Sequence, residues 1–397
     1  MHIASQIAKL GIETSFEVAA AASDWSHKGH KVYPFHIGDI NLHTPYNIVE
    51  AVTKAIRDGY TGYCPGAGII QLRMAMAEEI GRKWGAPYEP ENVSIQPGGK
   101  PVVGKFLEAV MEPGDEVLYP NPGYPIYESQ IEFQGGIAVP YGYIETEKGF
   151  ALDLESMRRA ITPRTKILVC NNYHNPTAAR SSRAEMEAVA ELAIRHNLMV
   201  LSDDAYYEIQ YDEPADSIVT LPGMQERTVI LYTFSKRYAM TGWRIGAAIG
   251  PRKIIDIINK LNSNAESCTS HFIQWAAIEA LTGSETGPND ILAELKRRRD
   301  AAVAGLNAID GISVAAPSSS FFLFPNVTKI MERKGITDVN LLMDLALKQA
   351  GVSFCTHKHF GRPRPEDTQS YIRIAYSGID VEDIHFGMER LKEYFES

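Results

Sequence analysis
The sequence predicts an α/β protein in which a large domain, built on a mostly parallel sheet flanked by helices, is joined to a smaller α+β domain. Three observations carry this expectation. Between about Val117 and Ile249, short β-branched or apolar runs alternate with longer amphipathic ones, the pattern of a parallel sheet covered by helices. The last hundred residues break that rhythm and mix short strands with helices. The first forty residues, interrupted by Pro34 and Gly38 and followed by Pro45, read as an arm and crossing segment rather than a core unit. At 397 residues the chain also exceeds what one small core organises. The expected division is 1–45 as arm and part of the small domain, 46–285 as the large domain, and 286–397 as the small carboxy-terminal domain.

Each element follows from its local pattern. Ile167 to Cys170 is a short apolar run of the kind a buried strand needs. Ser182-Arg183-Ala184-Glu185 then has the form of a capping box, and Met186, Val189, Ala190, Ala193 and Ile194 keep one apolar face up to His196, so a helix follows. Leu198 to Leu201, Val229 to Leu231 and Ile245 to Ile249 are the next strands, each bounded by polar residues or glycine. A helix is expected around Leu341 to Ala350, strands at Val352 to Phe354 and Tyr371 to Ala375, and a terminal helix with Ile384, Met388, Leu391 and Phe395 on its apolar face.

Composition narrows the function classes. Hydrophobic residues at 45% and charged residues at 22% are ordinary for a globular chain, and no repeat or low-complexity segment suggests a solenoid. A net charge of −10 with pI near 5.6 lacks the basic field of a nucleic-acid or anionic-membrane binder, so any anion site must be local. Cys64, Cys170, Cys268 and Cys355 lie far apart without metal-like pairing, which suggests a reducing compartment, the cytoplasm. No run approaches the roughly 20 apolar residues of a membrane span, and the first residues do not read as an export signal.

The motif richest in chemistry is Thr233-Phe234-Ser235-Lys236, directly after an expected strand, with Thr241-Gly242-Trp243-Arg244 beyond it. Two hydroxyls, a lysine and an arginine combine phosphate ligands with an amine that can condense with an aldehyde. Gln96-Pro97-Gly98-Gly99-Lys100 is a glycine turn at a helix start, which either receives an anion or simply reverses the chain. Asn121-Pro122-Gly123-Tyr124-Pro125 is a Pro-Gly turn carrying a tyrosine. Asn172 to Thr177 follows the first strand, and Ser202-Asp203-Asp204-Ala205-Tyr206 ends the second, at the carboxyl edge where open α/β sheets bind ligands. Tyr371-Ile372-Arg373-Ile374-Ala375 sets one arginine in a largely apolar strand. Its partner should be a carboxylate, either the protein's own in a buried ion pair or a ligand's.

Taken in order from Gly38 to Arg373, these segments resemble the class I/II aminotransferases, the fold-type I pyridoxal-phosphate (PLP) enzymes related to aspartate aminotransferase. The resemblance implies a PLP-binding large domain with a seven-stranded type of sheet. It implies that Lys236 holds PLP as a Schiff base and later takes the Cα proton, that Asp203 pairs with the pyridinium nitrogen, and that Asn175 and Tyr206 reach the cofactor's phenolic oxygen. Tyr124 would lie on the pyridine ring, while Gly99, Lys100, Thr233, Ser235 and Arg244 would surround the phosphate. Arg373, with Asn175, would take the substrate α-carboxylate, and Gly38 would let the arm close over it. Tyr63, in Tyr60-Thr61-Gly62-Tyr63, matches a tyrosine that reaches a neighbour's phosphate, which implies a homodimer with shared sites.

The implied reaction moves an amino group from an L-amino acid to a 2-oxo acid through a Lys236 aldimine and a quinonoid intermediate. Lys100 resembles a lysine that binds a distal carboxylate in some aspartate and prephenate aminotransferases, which implies an aspartate- or glutamate-like donor, unless it is a solvated lysine at a helix start. Three departures bear on this. Ala178 stands where glycine usually follows Asn-Pro-Thr, although alanine resists positive φ. Ser318-Ser319-Ser320-Phe321 lacks a common glycine, and Cys355-Thr356-His357-Lys358-His359 replaces a usual Pro-Gly, so both are expected near a reshaped substrate end suited to an aromatic, basic or unusual side chain. His357 and His359 read as a loop, and no metal site is expected. The alternatives are a PLP-dependent lyase, cyclase or amino-acid oxidase and, more distantly, a non-catalytic ligand sensor. The sensor would need a DNA-binding addition that is not expected here.

Overall fold
The computed structural model describes residues 3–11, 14–212, 216–364 and 367–397. Its centre is a seven-stranded sheet of β1 (Val93–Gln96), β2 (Glu116–Pro120), β3 (Ile137–Tyr141), β4 (Thr165–Cys170), β5 (Met199–Asp203), β6 (Thr228–Thr233) and β7 (Gly246–Ile249). The spatial order is β1-β7-β6-β5-β4-β2-β3. β7 runs antiparallel to both neighbours and every other pair is parallel. Strands covered on both faces need apolar residues at consecutive positions, and β1, β2, β6 and β7 are accordingly buried at every residue.

Helices cover the sheet. α1 (Ser15–His27) precedes it, α2 (Tyr46–Arg57) follows the arm, and α3 (Lys100–Val110) starts just after β1. α4 (Ile126–Phe133) leaves β2, and α5 (Arg183–Arg195) lies between β4 and β5. The expected capping box at α5 is present: Glu185 N donates to Ser182 Oγ at 3.2 Å, and Ser182 N donates to Glu185 Oε2 at 2.7 Å.

Beyond the large sheet, β8 (Phe322–Leu323), β9 (Cys355–Thr356) and β10 (Ile372–Ala375) form a small antiparallel sheet in the order β8-β10-β9. α6 (Thr286–Asn307), α7 (Val339–Ala350) and α8 (Val381–Glu396) accompany it. Ile384, Met388, Leu391 and Phe395 are buried, as the α8 pattern predicts. The strand expected over Val352 to Phe354 is instead divided. Val352–Ser353 pairs in parallel with Tyr33–Pro34 of the arm, and after Phe354 the chain joins β10. The arm is more structured than its proline and glycine breaks suggest, because α1 occupies part of it. Only Val18 and Ala22 of α1 are buried, so the helix carries little hydrophobic signature.

Candidate active site
The carboxyl ends of β4, β5 and β6 converge on a cavity of about 520 Å³. Twelve of the thirteen residues singled out in the sequence line it: Gly38, Gly99, Lys100, Tyr124, Asn175, Asp203, Tyr206, Thr233, Ser235, Lys236, Arg244 and Arg373. Tyr63 does not. It is 88% exposed and stands outside the cavity of its own chain.

One wall suits a phosphate. Gly98 has φ +105, and a Cβ there would lie 2.4 Å from Arg244 Nη2; at Gly99 it would lie 2.8 Å from Leu231 Cδ2. Glycines therefore allow the start of α3 to approach Arg244 and β6 closely. Arg244, itself at φ +55, donates from Nη1 to Thr241 O at 2.7 Å. Thr233 Oγ1 donates to Ser235 Oγ at 2.8 Å. A helix amino terminus, two hydroxyls and a guanidinium offer the donors and positive potential that a phosphate dianion needs.

The floor carries a buried carboxylate. Asp203 Oδ2 accepts from Tyr127 OH at 2.5 Å, and Oδ1 accepts from Ala205 N at 3.1 Å. Burial raises the Asp203 pKa, while these two donors and the Lys236 charge oppose the rise. Asn171 braces the floor from β4: its Nδ2 donates to Asp203 O at 2.8 Å and its Oδ1 accepts from Asn175 N at 3.0 Å. Lys236 Nζ donates to Gly38 O at 2.8 Å and lies 5.8 Å and 5.4 Å from the ring centres of Tyr206 and Phe321. Lys100 Nζ stands 5.8 Å from the Tyr124 ring.

Arg373 occupies the opposite side. Nη1 donates to Asn175 Oδ1 at 3.0 Å and Nη2 to His36 O at 2.7 Å, while the guanidinium carbon sits 4.6 Å from the ring centres of both Phe322 and Phe360. Nε is buried without a hydrogen-bond partner. Among the described residues no carboxylate forms an ion pair with Arg373, so the buried-ion-pair alternative has no partner there. A buried cation held only by neutral acceptors and rings is primed for an external anion. His36 Nδ1 lies 2.7 Å from Ser353 Oγ, and burial followed by the Arg373 charge lowers its pKa to about 4.

The departures resolve locally. Ala178 adopts φ +57, and its N–H donates to His174 O at 2.8 Å, so the turn forms with alanine in a conformation that glycine tolerates better. Ser320 likewise has φ +62. Phe322 reaches the cavity, whereas the Ser318-Ser319-Ser320 run does not line it. Cys355 pairs with Arg373 in register, and its Sγ lies 3.9 Å from Nη2. The histidines of that loop do not line the cavity either: His359 Nδ1 accepts from Thr356 N at 3.0 Å, and His357 Nδ1 accepts from Tyr371 N at 3.2 Å. Of the two departures, the Cys355 loop meets Arg373 through Cys355, while the Ser318-Ser319-Ser320 run gives the cavity only the nearby Phe322, with Phe360 beyond. Tyr127, Asn171, His36, Phe322 and Phe360 were missed in the sequence. Only Tyr127, one helical turn after Tyr124, carried a local signal.

The cavity fits PLP on its own terms: a close-approach glycine cradle beside Arg244, a buried carboxylate on the floor and the Lys236 amine in the same cavity. The sequence profile of the family described as "Aminotransferase class I and II" matches residues 31–391. An aspartate/prephenate aminotransferase from Thermus thermophilus is 35% identical, covering 94% of this chain and 93% of the relative. An aspartate aminotransferase from Geobacillus stearothermophilus is 29% identical over the full length of both. Among solved structures, the Thermus thermophilus aspartate aminotransferase with maleate superposes with a TM-score of 0.91 at 30% identity, covering 99% of each chain. An alanine aminotransferase from Pyrococcus furiosus gives 0.92 at 28% identity, covering 100% of each. The chain belongs to the class I and II aminotransferases, PLP-dependent enzymes that transfer amino groups.

Proposed function
We propose that this aminotransferase uses a dicarboxylic, aspartate- or glutamate-like L-amino acid as donor and a 2-oxo acid as acceptor. The observation that carries the reading is Arg373, a buried guanidinium with no ion-paired carboxylate among the described residues, in a cavity that Lys100 also lines. A substrate with two carboxylates can meet both cations. The Thermus thermophilus relative whose name includes aspartate and prephenate supports the same class.

When bound, PLP supplies an aldehyde that condenses with amines and a ring that accepts the electron pair left by a departing Cα proton. The chain's residues do the rest. Thr233, Ser235, Arg244 and the start of α3 hold the phosphate. Asp203 keeps a proton on the pyridine nitrogen, since an adjacent carboxylate favours the cationic form, and Tyr127 fixes that carboxylate. Tyr124 would cover one face of the cofactor ring, and Asn175 and Tyr206 would hydrogen-bond its phenolic oxygen. Arg373 and Asn175 orient the α-carboxylate so that the Cα–H bond is the one to break. Lys236 Nζ would hold the cofactor through its aldehyde carbon and, once freed, would serve as the base for the substrate's Cα proton. Gly38 lets the arm approach the substrate.

The remaining expectations form one assembly. The division at 1–45, 46–285 and 286–397 rests on the large sheet lying within 93–249 and the small one within 322–375. An exposed Tyr63 supports a homodimer in which that tyrosine completes the neighbour's phosphate site. Four free cysteines support the cytoplasm, and no helix among the described residues is long and apolar enough to cross a membrane. The donor is tested by Lys100→Ala. KM for aspartate or glutamate should rise about tenfold or more while KM for a donor with an uncharged side chain changes little. Equal effects on both donors would remove Lys100 from substrate recognition.

A further inference from the structure
Phe360 stacks on Arg373, and the segment that carries it is fastened to the large sheet by contacts that the transfer chemistry does not itself use. Phe360 O accepts from Gly123 N at 2.7 Å, next to Tyr124. Arg362 O accepts from Asn121 Nδ2 at 2.9 Å. Gly361, between them, has φ +137, and a Cβ there would meet Asn121 Oδ1 at 2.2 Å, so the backbone is drawn tightly against that side chain. The Arg362 guanidinium then forks onto α4: Nε pairs with Glu128 Oε1, and Nη2 pairs with Glu132 Oε2 at 2.5 Å. The two carboxylates stand one helical turn apart. Glu128 is not a surface group. Its side chain is 11% exposed, and its second oxygen accepts from Tyr119 OH at 2.8 Å. α4 also carries Tyr127, which holds Asp203.

We propose that Arg362 is a positioning residue for the substrate's α-carboxylate. Clamping residues 360–362 onto α4 fixes the Phe360 ring against the Arg373 guanidinium and sets Arg373 at a constant distance from the Tyr124 and Asp203 side of the site. Arg362 touches neither substrate nor cofactor and acts through Phe360. Because Arg362 contacts neither reacting group, the effect falls on geometry at the carboxylate and hence on substrate binding. The inference rests on Arg373 as the carboxylate site.

The test is steady-state kinetics of the PLP-saturated enzyme. Arg362→Met keeps the side-chain stem and removes the fork, and should raise KM for donor and acceptor alike by about three- to tenfold with kcat within about twofold. The visible spectrum of bound PLP should be unchanged. Arg362→Lys, which retains the charge, should recover part of the loss, and Glu132→Gln should shift KM in the same direction as Arg362→Met. Unchanged KM values, or a loss confined to kcat, would overturn the proposal. If Arg362→Met does not fold, the KM values of Glu132→Gln decide by the same criteria. Arg373→Lys separates the two layers: if it leaves KM unaltered the carboxylate reading fails and the clamp with it, whereas a raised KM beside a normal Arg362→Met defeats the clamp alone.

Discussion

At the residue scale, the site is held by buried groups whose protonation is set by their surroundings. His36 is kept neutral because burial and the Arg373 charge depress its pKa to about 4, below its ordinary 6.5. As pH falls from 6.5 toward 4 the unfolded chain binds a proton that the folded chain refuses, so this histidine's contribution to stability is present above 6.5 and is lost on acidification. Asp204 runs the other way. Burial raises its pKa to about 7 although Trp84 Nε1 and Ser202 Oγ both donate to it, so its contribution is lost as pH rises from 3.8 toward 7. The two partly cancel in the wild type, and a difference curve isolates the histidine. Urea unfolding of His36→Gln at saturating PLP should show a stability gap to the wild type that shifts by roughly 2 kcal/mol in the variant's favour between pH 7 and pH 4.5. A gap independent of pH would show that His36 titrates normally.

At the element scale, strand ends and helix starts place the chemistry. The turn between β1 and α3 admits only glycine at Gly98, where φ is +105 and a Cβ would displace Arg244. Gly98→Ala should weaken PLP binding about ten- to a hundredfold through lost phosphate contacts and backbone strain, as read by fluorescence titration of the apoenzyme. Unaltered affinity would show that Arg244 does not serve the phosphate. The same scale explains what the sequence made legible. β4 to β6 stand out because both faces are covered and their runs are apolar. β3 does not, because it is a half-exposed edge strand containing Pro140. Lys236 and Asp203 could be found because their motifs are local and follow or end recognisable strands, and Arg373 because it is a lone charge within an apolar one. Asn171 and Phe360 could not, since their roles lie in contacts with Asp203 and Arg373, distant in the chain, while Tyr127, one turn after Tyr124, takes its role from Asp203.

At the scale of the whole molecule, the large sheet presents the cofactor site and the small sheet brings Arg373 to it. Tyr63 stands outside the cavity of its own chain. A dimer should be found by sedimentation, and Tyr63→Phe should weaken PLP retention by about three- to tenfold without dissociating it. A fully active monomer would remove Tyr63 from the site. Every proposed step in the transfer turns on Lys236 as the amine that holds the cofactor. Borohydride reduction of the PLP-loaded enzyme followed by peptide mass mapping should find the pyridoxyl group on Lys236 alone, and a pyridoxyl group on Lys100 or any other lysine, with Lys236 unmodified, would contradict it.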